Sequence, residues 1–298
     1  MNEVYHKPVL VNEVLSYLSP RPGCLYVDAT FGGGGHTKAI LEAEPMCRVI
    51  AFDWDIKAIE LNGPPLQELF GDRLTLQWGN FAHITPLLKK LKIARIDGIL
   101  ADFGTSQFQI AQRAGFSFSS DTPLDMRMSP GHYKITAAEV VNKAPEQELA
   151  TIFYTFGEEN QSRKIARAIV SYRKEYGPLR TTGELAKLIQ KVIPPYSRKI
   201  HPATKVFQAL RIVVNDELNN IKSLLTQAPD ILEDSGRLVC ISFHSLEDRI
   251  VKQFLKAHTD EFTILTKNVV IASAEELSVN PSARSAKLRA AERKRRSQ

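Results

Sequence analysis

Over the first hundred residues, short β-branched apolar runs alternate with longer stretches in which apolar residues recur every three or four positions. This is the pattern of a parallel sheet covered by helices. The runs at 24–27, 48–52, 74–78 and 96–100 read as four strands, each ending near a polar or acidic residue. After Asp102 the rhythm breaks. A loop rich in Gly, Ser and Pro extends to about Pro130, and helix-period segments follow at 137–156, 162–176, 182–192 and, from about Val206, at 206–225. The start of the third, Thr182-Gly183-Glu184, has N-cap character. Strand rhythm returns at 237–241. The economical reading is one α/β domain, 1–105 and 213–298, interrupted by a mainly helical substrate-recognition insert, 106–212. No internal repeat is visible.

Charge sharpens this division. The 298 residues carry 39 Lys and Arg against 33 Asp and Glu, a net of +6. Segment 106–212 holds 16 basic against 9 acidic residues, net +7, and segment 284–298 holds 7 against 1, net +6, so the remainder is acidic at −7. A basic middle and a basic tail on an acidic body suit a small ligand in the body and a polyanion on two surfaces; the alternative is a solvated helical face and a soluble tail. Cys24, Cys47 and Cys240 lack paired spacing, which argues against a disulfide framework and a zinc knuckle, so no metal is expected. With no apolar run near the ~20 residues of a membrane span, the expected location is the cytoplasm, away from membranes.

The most chemical segment is Asp28-Ala29-Thr30-Phe31-Gly32-Gly33-Gly34-Gly35-His36-Thr37, between the first strand and a helix. There the backbone can approach a ligand without side-chain obstruction. A nicotinamide dinucleotide prefers G-x-G-x-x-G, but counting from Gly32 and Gly34 puts Thr37 at the third position, which weakens an oxidoreductase reading. Asp53 closes the second strand 18 residues after Gly35. That is close to the ~20-residue offset at which a carboxylate accepts from both ribose hydroxyls of an adenosine. An adenosyl cofactor without a pyrophosphate, S-adenosylmethionine, fits both facts. Phe81 after the third strand is placed to pack on the adenine, and Asp102 closes the fourth strand near the reacting end of the cofactor.

These residues, with others along the chain, resemble the bacterial small-subunit ribosomal RNA cytidine N4-methyltransferase family, designated methyltransferase H. The resemblance rests on His6-Lys7-Pro8-Val9-Leu10, the glycine loop, Gly115-Phe116-Ser117-Phe118, Pro123-Leu124-Asp125-Met126-Arg127-Met128 and Gly157-Glu158-Glu159. It continues through His201-Pro202-Ala203-Thr204-Lys205 with Asn215, Ser242-Phe243-His244-Ser245-Leu246-Glu247-Asp248-Arg249, and Asn280-Pro281. It implies a Rossmann-like S-adenosylmethionine-dependent methyltransferase domain with an inserted helical domain, and as acceptor a decoding-centre cytidine of 16S rRNA, on the small ribosomal subunit. It also implies donor contacts at Gly34, Gly35, His36, Asp53, Phe81, Asp102 and Gln109. The chain departs from the family pattern at Lys205, where arginine is usual, and around Gln109, where the segment before Gly115 is one residue short.

The exocyclic amine of cytosine is a poor nucleophile because its lone pair is delocalised, so the enzyme must orient it and accept one N–H. Asp102 is the first candidate for that task, or for holding the donor's amino group, with Ser106 and the Ser242-Phe243-His244 strand end as alternatives. Phe116, Phe118 or Phe243 are candidates to stack on a flipped base. Arg163, Lys164 and Arg167, followed by Arg173 and Lys174, recur near helical spacing and are placed to track phosphates. Asp125 and Arg127 read as an ion pair fixing the long loop. The competing functions are an RNA-binding ribosome assembly factor with a vestigial cofactor pocket and an amino-methyltransferase of another nucleic acid.

Overall fold

The computed structural model describes residues 7–104, 114–118, 121–194 and 201–295. The chain forms two compact units, one from Met1–Ser106 and Leu218–Gln298, the other from Gln107–Glu217. The first unit opens with α1 (Val11–Leu18), β1 (Leu25–Asp28), α2 (Gly35–Ala43), β2 (Arg48–Asp53), α3 (Ile56–Phe70), β3 (Leu74–Trp78), α4 (Ile84–Lys90) and β4 (Ile96–Asp102). The second holds α5 (Ala137–Lys143), α6 (Glu146–Gly157), α7 (Ser162–Glu175), α8 (Thr182–Val192) and α9 (Thr204–Val214). The chain returns through α10 (Glu217–Ile231), β5 (Leu232–Ser242), α11 (Ser245–Ala257), β6 (Phe262–Ile264), α12 (Ala274–Val279) and β7 (Lys287–Arg293).

The seven strands form one sheet in the order β3-β2-β1-β4-β5-β7-β6. The first five are parallel to one another, and β7 runs antiparallel to both β5 and β6. Because side chains alternate along a strand, the sheet buries two separate apolar layers. Val27, Ile50 and Phe52 face Ile84 and Leu88 of α4, Ile221 and Leu225 of α10 and Val251 of α11. Tyr26, Val49 and Ala51 face Val14 and Leu18 of α1, Ile40 of α2 and Phe70 of α3. This is the helix-covered α/β sheet expected from the alternation of runs. Among the described residues no helix is long and apolar enough to cross a membrane. The three cysteines are free thiols.

Residues 284–295 correct the sequence reading of a basic tail. Lys287–Arg293 is β7, inserted between two strands, with Leu288, Ala290 and Ala291 fully buried. Its arginines are spent internally: Arg289 forks onto Asp248 at 2.6 and 3.1 Å, and Arg293 donates to the Pro229 and Glu261 carbonyls. Two helical segments also split. Pro145, which cannot extend a helix that precedes it, separates α5 from α6, and Asp216, at φ 48°, separates α9 from α10.

The second unit packs Leu149 and Phe153 of α6, Ile165 and Ile169 of α7, Leu185 and Ile189 of α8 and Val206 and Leu210 of α9 into one core. Gly157 permits close contact of α6 with α9, since a Cβ there would lie 2.5 Å from the Lys205 carbonyl oxygen. The Lys205 ammonium donates to the carbonyl of Glu158, the C-cap of α6, at 2.7 Å. For this bond lysine's single charge suffices, and the fork of an arginine is not required. The loop at 121–128 is fixed by the two-toothed Asp125–Arg127 pair at 2.7 and 2.8 Å and by Asn215. Fully buried Asn215 accepts from the Met128 amide at 2.7 Å and donates to the Met126 and Arg211 carbonyls at 2.7 and 2.9 Å. Asn215→Ala strands two backbone groups of that loop, so a stability loss of about 2–4 kcal/mol is expected. Urea unfolding followed by far-UV circular dichroism measures it; an unchanged midpoint would refute the structural role.

Candidate active site

In an open parallel sheet a ligand binds beyond the carboxyl ends of the strands, where the strand order reverses. Here that point lies between β1 and β4. Asp28, at the end of β1, accepts from the Thr30 amide at 3.0 Å and from the Thr37 hydroxyl at 2.7 Å, which ties the start of the glycine loop to α2. The Thr30 hydroxyl in turn accepts from the Asp102 amide at 2.8 Å, joining the ends of β1 and β4.

Two glycines of the loop lie against other parts of the protein. A Cβ on Gly34 would lie 2.3 Å from Leu66, and one on Gly35 would lie 2.7 Å from Pro8. The Cα faces of these two glycines therefore admit the protein's own side chains. Gly34 also adopts φ 74° as the N-cap of α2, a conformation glycine reaches without strain.

Asp53, at the end of β2, is buried and holds this loop. Its Oδ2 accepts from the Gly32 amide at 2.7 Å and its Oδ1 from the Asp55 amide at 2.8 Å. Each oxygen keeps one lone pair for a further donor. Burial pushes the carboxyl up to about 7 against the pull of those two amides, and the neighbouring Asp55 and Asp28 charges add to the rise. Across the next strand ends stands an aromatic wall: Phe81 lies 6.1 Å from Trp54 and 5.9 Å from Phe103, centroid to centroid. Asn80 caps the turn that presents Phe81 by accepting from the Ala82 amide.

Asp102 is the last residue of β4, and its side chain is 14% exposed. Its Oδ1 is buried and has no hydrogen-bond partner among the described residues. Burial pushes this carboxyl up to about 7; His36 opposes the rise, while Asp28 and Glu247 reinforce it. His36 Nδ1 lies 3.7 Å from Asp102 Oδ2. On its other side, His36 Nε2 is 2.8 Å from the Val9 carbonyl, which can only accept, so Nε2 bears the hydrogen. The segment carrying Val9 is itself pinned: Asn280 donates to the Lys7 and Pro8 carbonyls, and Glu276 accepts from the Leu10 amide at 2.7 Å.

The end of β5 completes this side of the sheet. Phe103 donates to the Ile241 carbonyl, and the Phe243 ring lies 2.8 Å from where a Cβ on Gly104 would sit. His244 follows as the N-cap of α11, and buried Glu247 accepts from the Phe243 and His244 amides at 2.8 and 3.3 Å. The structure thus gathers Gly34, Gly35, His36, Asp53, Phe81, Asp102, Phe243 and His244 in one unit, at the carboxyl ends of five parallel strands or just beyond them. Thr30, Thr37, Glu247, Glu276 and Asn280 support these residues and were missed as site components. Only Glu247 carried a local signal, its position three residues after an N-cap.

The remaining candidates fall elsewhere. Ser106 and Gln109 lie outside the described residues. In the second unit Phe116 is half-buried. Phe118 is half-buried, stacked on His201 at 4.2 Å and set edge-on to Phe207 at 5.4 Å, so one face of its ring is taken by the protein. Arg163, Lys164 and Arg167 are exposed on α7, where Arg167 stands 3.6 Å from Glu146. Arg173 leaves this group, because it donates to the Val141 carbonyl at 2.7 Å.

A sequence-family profile described as the MraW methylase family matches residues 3–294. The chain is 49% identical over 292 residues to the Ribosomal RNA small subunit methyltransferase H of a Cyanothece strain, covering 98% of this chain and 95% of that one. It is 47% identical over 310 residues to the protein of the same name from Bradyrhizobium diazoefficiens, covering 98% and 93%. Among solved structures, an rRNA methylase from Streptococcus thermophilus aligns over 96% of this chain and 94% of its own at 11% identity and a TM-score of 0.45, too distant to bear on individual residues.

Proposed function

The chain belongs to the MraW methylase family, and we propose on that basis that it transfers a methyl group from S-adenosylmethionine to N4 of a cytidine in 16S rRNA. The substrate we favour is the small ribosomal subunit in the cytoplasm. One observation carries the chemistry: the buried, unpartnered Oδ1 of Asp102 at the reversal of strand order.

The residues at the strand ends fit this cofactor. Asp53 and Asp102 are held up near 7 by burial and by neighbouring carboxylates, so a cationic ligand relieves them and an anionic pyrophosphate does not. This favours a sulfonium donor over a dinucleotide. Asp53 would accept from the ribose hydroxyls through its two remaining lone pairs, and Phe81 would cover the adenine. When bound, the cofactor supplies an electrophilic methyl group.

The protein's own task is to present the amine. Asp102 Oδ1 accepts an N–H of the cytosine amine, which draws electron density toward nitrogen and aligns its lone pair. Ionised beside the cationic cofactor, the same carboxylate can take up the proton that the amine loses once transfer removes that positive charge, since burial then raises its affinity for a proton again. Arg163, Arg167 and Lys174, at intervals of four and seven residues on α7, share one exposed face and would contact phosphates. Such contacts add affinity without sequence choice, leaving selection to the RNA fold and the flipped base.

The test is transfer from labelled S-adenosylmethionine to purified small subunits lacking the modification, with nucleoside analysis of the product. N4-methylcytidine in 16S rRNA is expected. A folded protein that binds no S-adenosylmethionine would overturn the proposal in favour of an RNA-binding assembly factor, and transfer to DNA oligonucleotides instead would redirect it to another nucleic acid.

A further inference from the structure

Besides Asp102 Oδ1, the buried side-chain atoms without a hydrogen-bond partner among the described residues are the two ring nitrogens of His244. Both residues stand at neighbouring strand ends. Asp102 pairs with Ile241 in the β4–β5 ladder, His244 follows three residues later, and the Phe103 amide bonds the Ile241 carbonyl. The His244 side chain is 11% exposed, and its Nε2 lies 3.2 Å from Glu247 Oε1, not aligned for a hydrogen bond. A hydrogen on Nε2 suits that carboxylate and leaves Nδ1 a bare acceptor. Unmade hydrogen bonds on buried groups are costly, so two of them at adjacent strand ends mark a place where a ligand's donors belong.

We propose that His244 Nδ1 is the second acceptor for the cytosine amine, taking one N4–H while Asp102 Oδ1 takes the other. The assignment rests on the methyltransfer reading above. Two acceptors on the two N–H bonds draw electron density onto the nitrogen and favour its pyramidal form, in which the lone pair is localised on one face of the ring, toward the donor. N4 forms its bond to the methyl carbon as the carbon–sulfur bond breaks, and the proton N4 loses passes to Asp102. His244 keeps the remaining N–H through the product. The pair also sets base choice: uridine presents a carbonyl oxygen where cytidine presents two N–H groups, and two acceptors facing an acceptor repel it.

Full-length His244→Ala and His244→Asn are compared with the unmodified protein on small subunits lacking the modification, at saturating S-adenosylmethionine. The readouts are kcat, KM for the subunit, the cofactor Kd by calorimetry, and Tm. His244→Ala is expected to lower kcat about 100-fold, with Kd within about twofold and Tm within about 2 °C. His244→Asn, whose amide oxygen can replace Nδ1 as acceptor, is expected to recover at least about tenfold of that loss. Turnover of His244→Ala within about threefold of the unmodified protein overturns the assignment. So does an Asn variant no better than Ala, or a loss that tracks Kd or Tm, which would mark a structural role. Failure of the unmodified protein to form N4-methylcytidine would overturn the reading of the reaction itself, and the assignment with it.

Discussion

Asp53→Ala is expected to weaken S-adenosylmethionine binding by about 100- to 1,000-fold. Hydrogen bonds to a charged group are worth about 1.5–3 kcal/mol each, and two ribose hydroxyls lose theirs at once. The same substitution frees the Gly32 amide, so the glycine loop loses its tie to β2. Calorimetric titration of the folded variant measures the effect; a Kd within about threefold of the unmodified protein would remove Asp53 from the cofactor site. Binding should also depend on pH, with a sign fixed by the raised carboxyls. In the ligand-free protein Asp53 and Asp102 hold protons up to about pH 7 that the unfolded chain releases near 4. Stability from these groups is therefore present at low pH and lost as pH rises through about 7. A cationic ligand prefers the ionised forms, so affinity should rise about tenfold or more from pH 6 to pH 8, with protons released on binding. A flat profile across that interval would contradict the burial of both groups.

Asp102→Asn is expected to lower kcat by about 100- to 1,000-fold while changing cofactor affinity much less. The amide keeps the shape and one acceptor oxygen but cannot take a proton, and general base assistance contributes typically 10²- to 10⁴-fold. Single-turnover transfer to small subunits separates the two roles available to this residue. A loss confined to the chemical step fits an acceptor for the cytosine amine. A loss appearing as a weaker Kd with unchanged single-turnover rate would instead place Asp102 on the donor's amino group.

The strand ends are legible in the sequence for a physical reason. Strands buried on both faces must be apolar along their length, so Asp53 and Asp102 stand out as the residues where burial stops being free. The structure carries β4 two residues past the apolar run at 96–100, to the Asp102 that closes it, because the ladder with β5 continues to Ile241. β7 defeats the same logic. Its buried positions are Leu288, Ala290, Ala291 and Arg293, a composition that reads as a solvated tail until Asp248 and Glu261 supply partners for Arg289 and Arg293. The roles of Asn215 and Glu276 depend on partners 87 and 266 residues away, which no local pattern encodes. Gly34 and Gly35 are conspicuous in sequence, yet what fills the space beside them is Leu66 and Pro8, visible only in three dimensions.

The clamp of Asn280 and Glu276 on residues 7–10, together with β7 between β5 and β6, makes the first and last parts of the chain depend on each other. The chain emerges from the ribosome amino end first, and β1 to β4 are made long before the residues that complete the sheet. His36 is fixed by Val9, and Val9 lies in a segment secured by residues near position 280. A nascent chain halted before Arg293 has β6 but no complete strand to join it to β5. A chain that ends before residue 276 therefore lacks both side chains that hold residues 7–10, and with them the tie that reaches His36 through Val9.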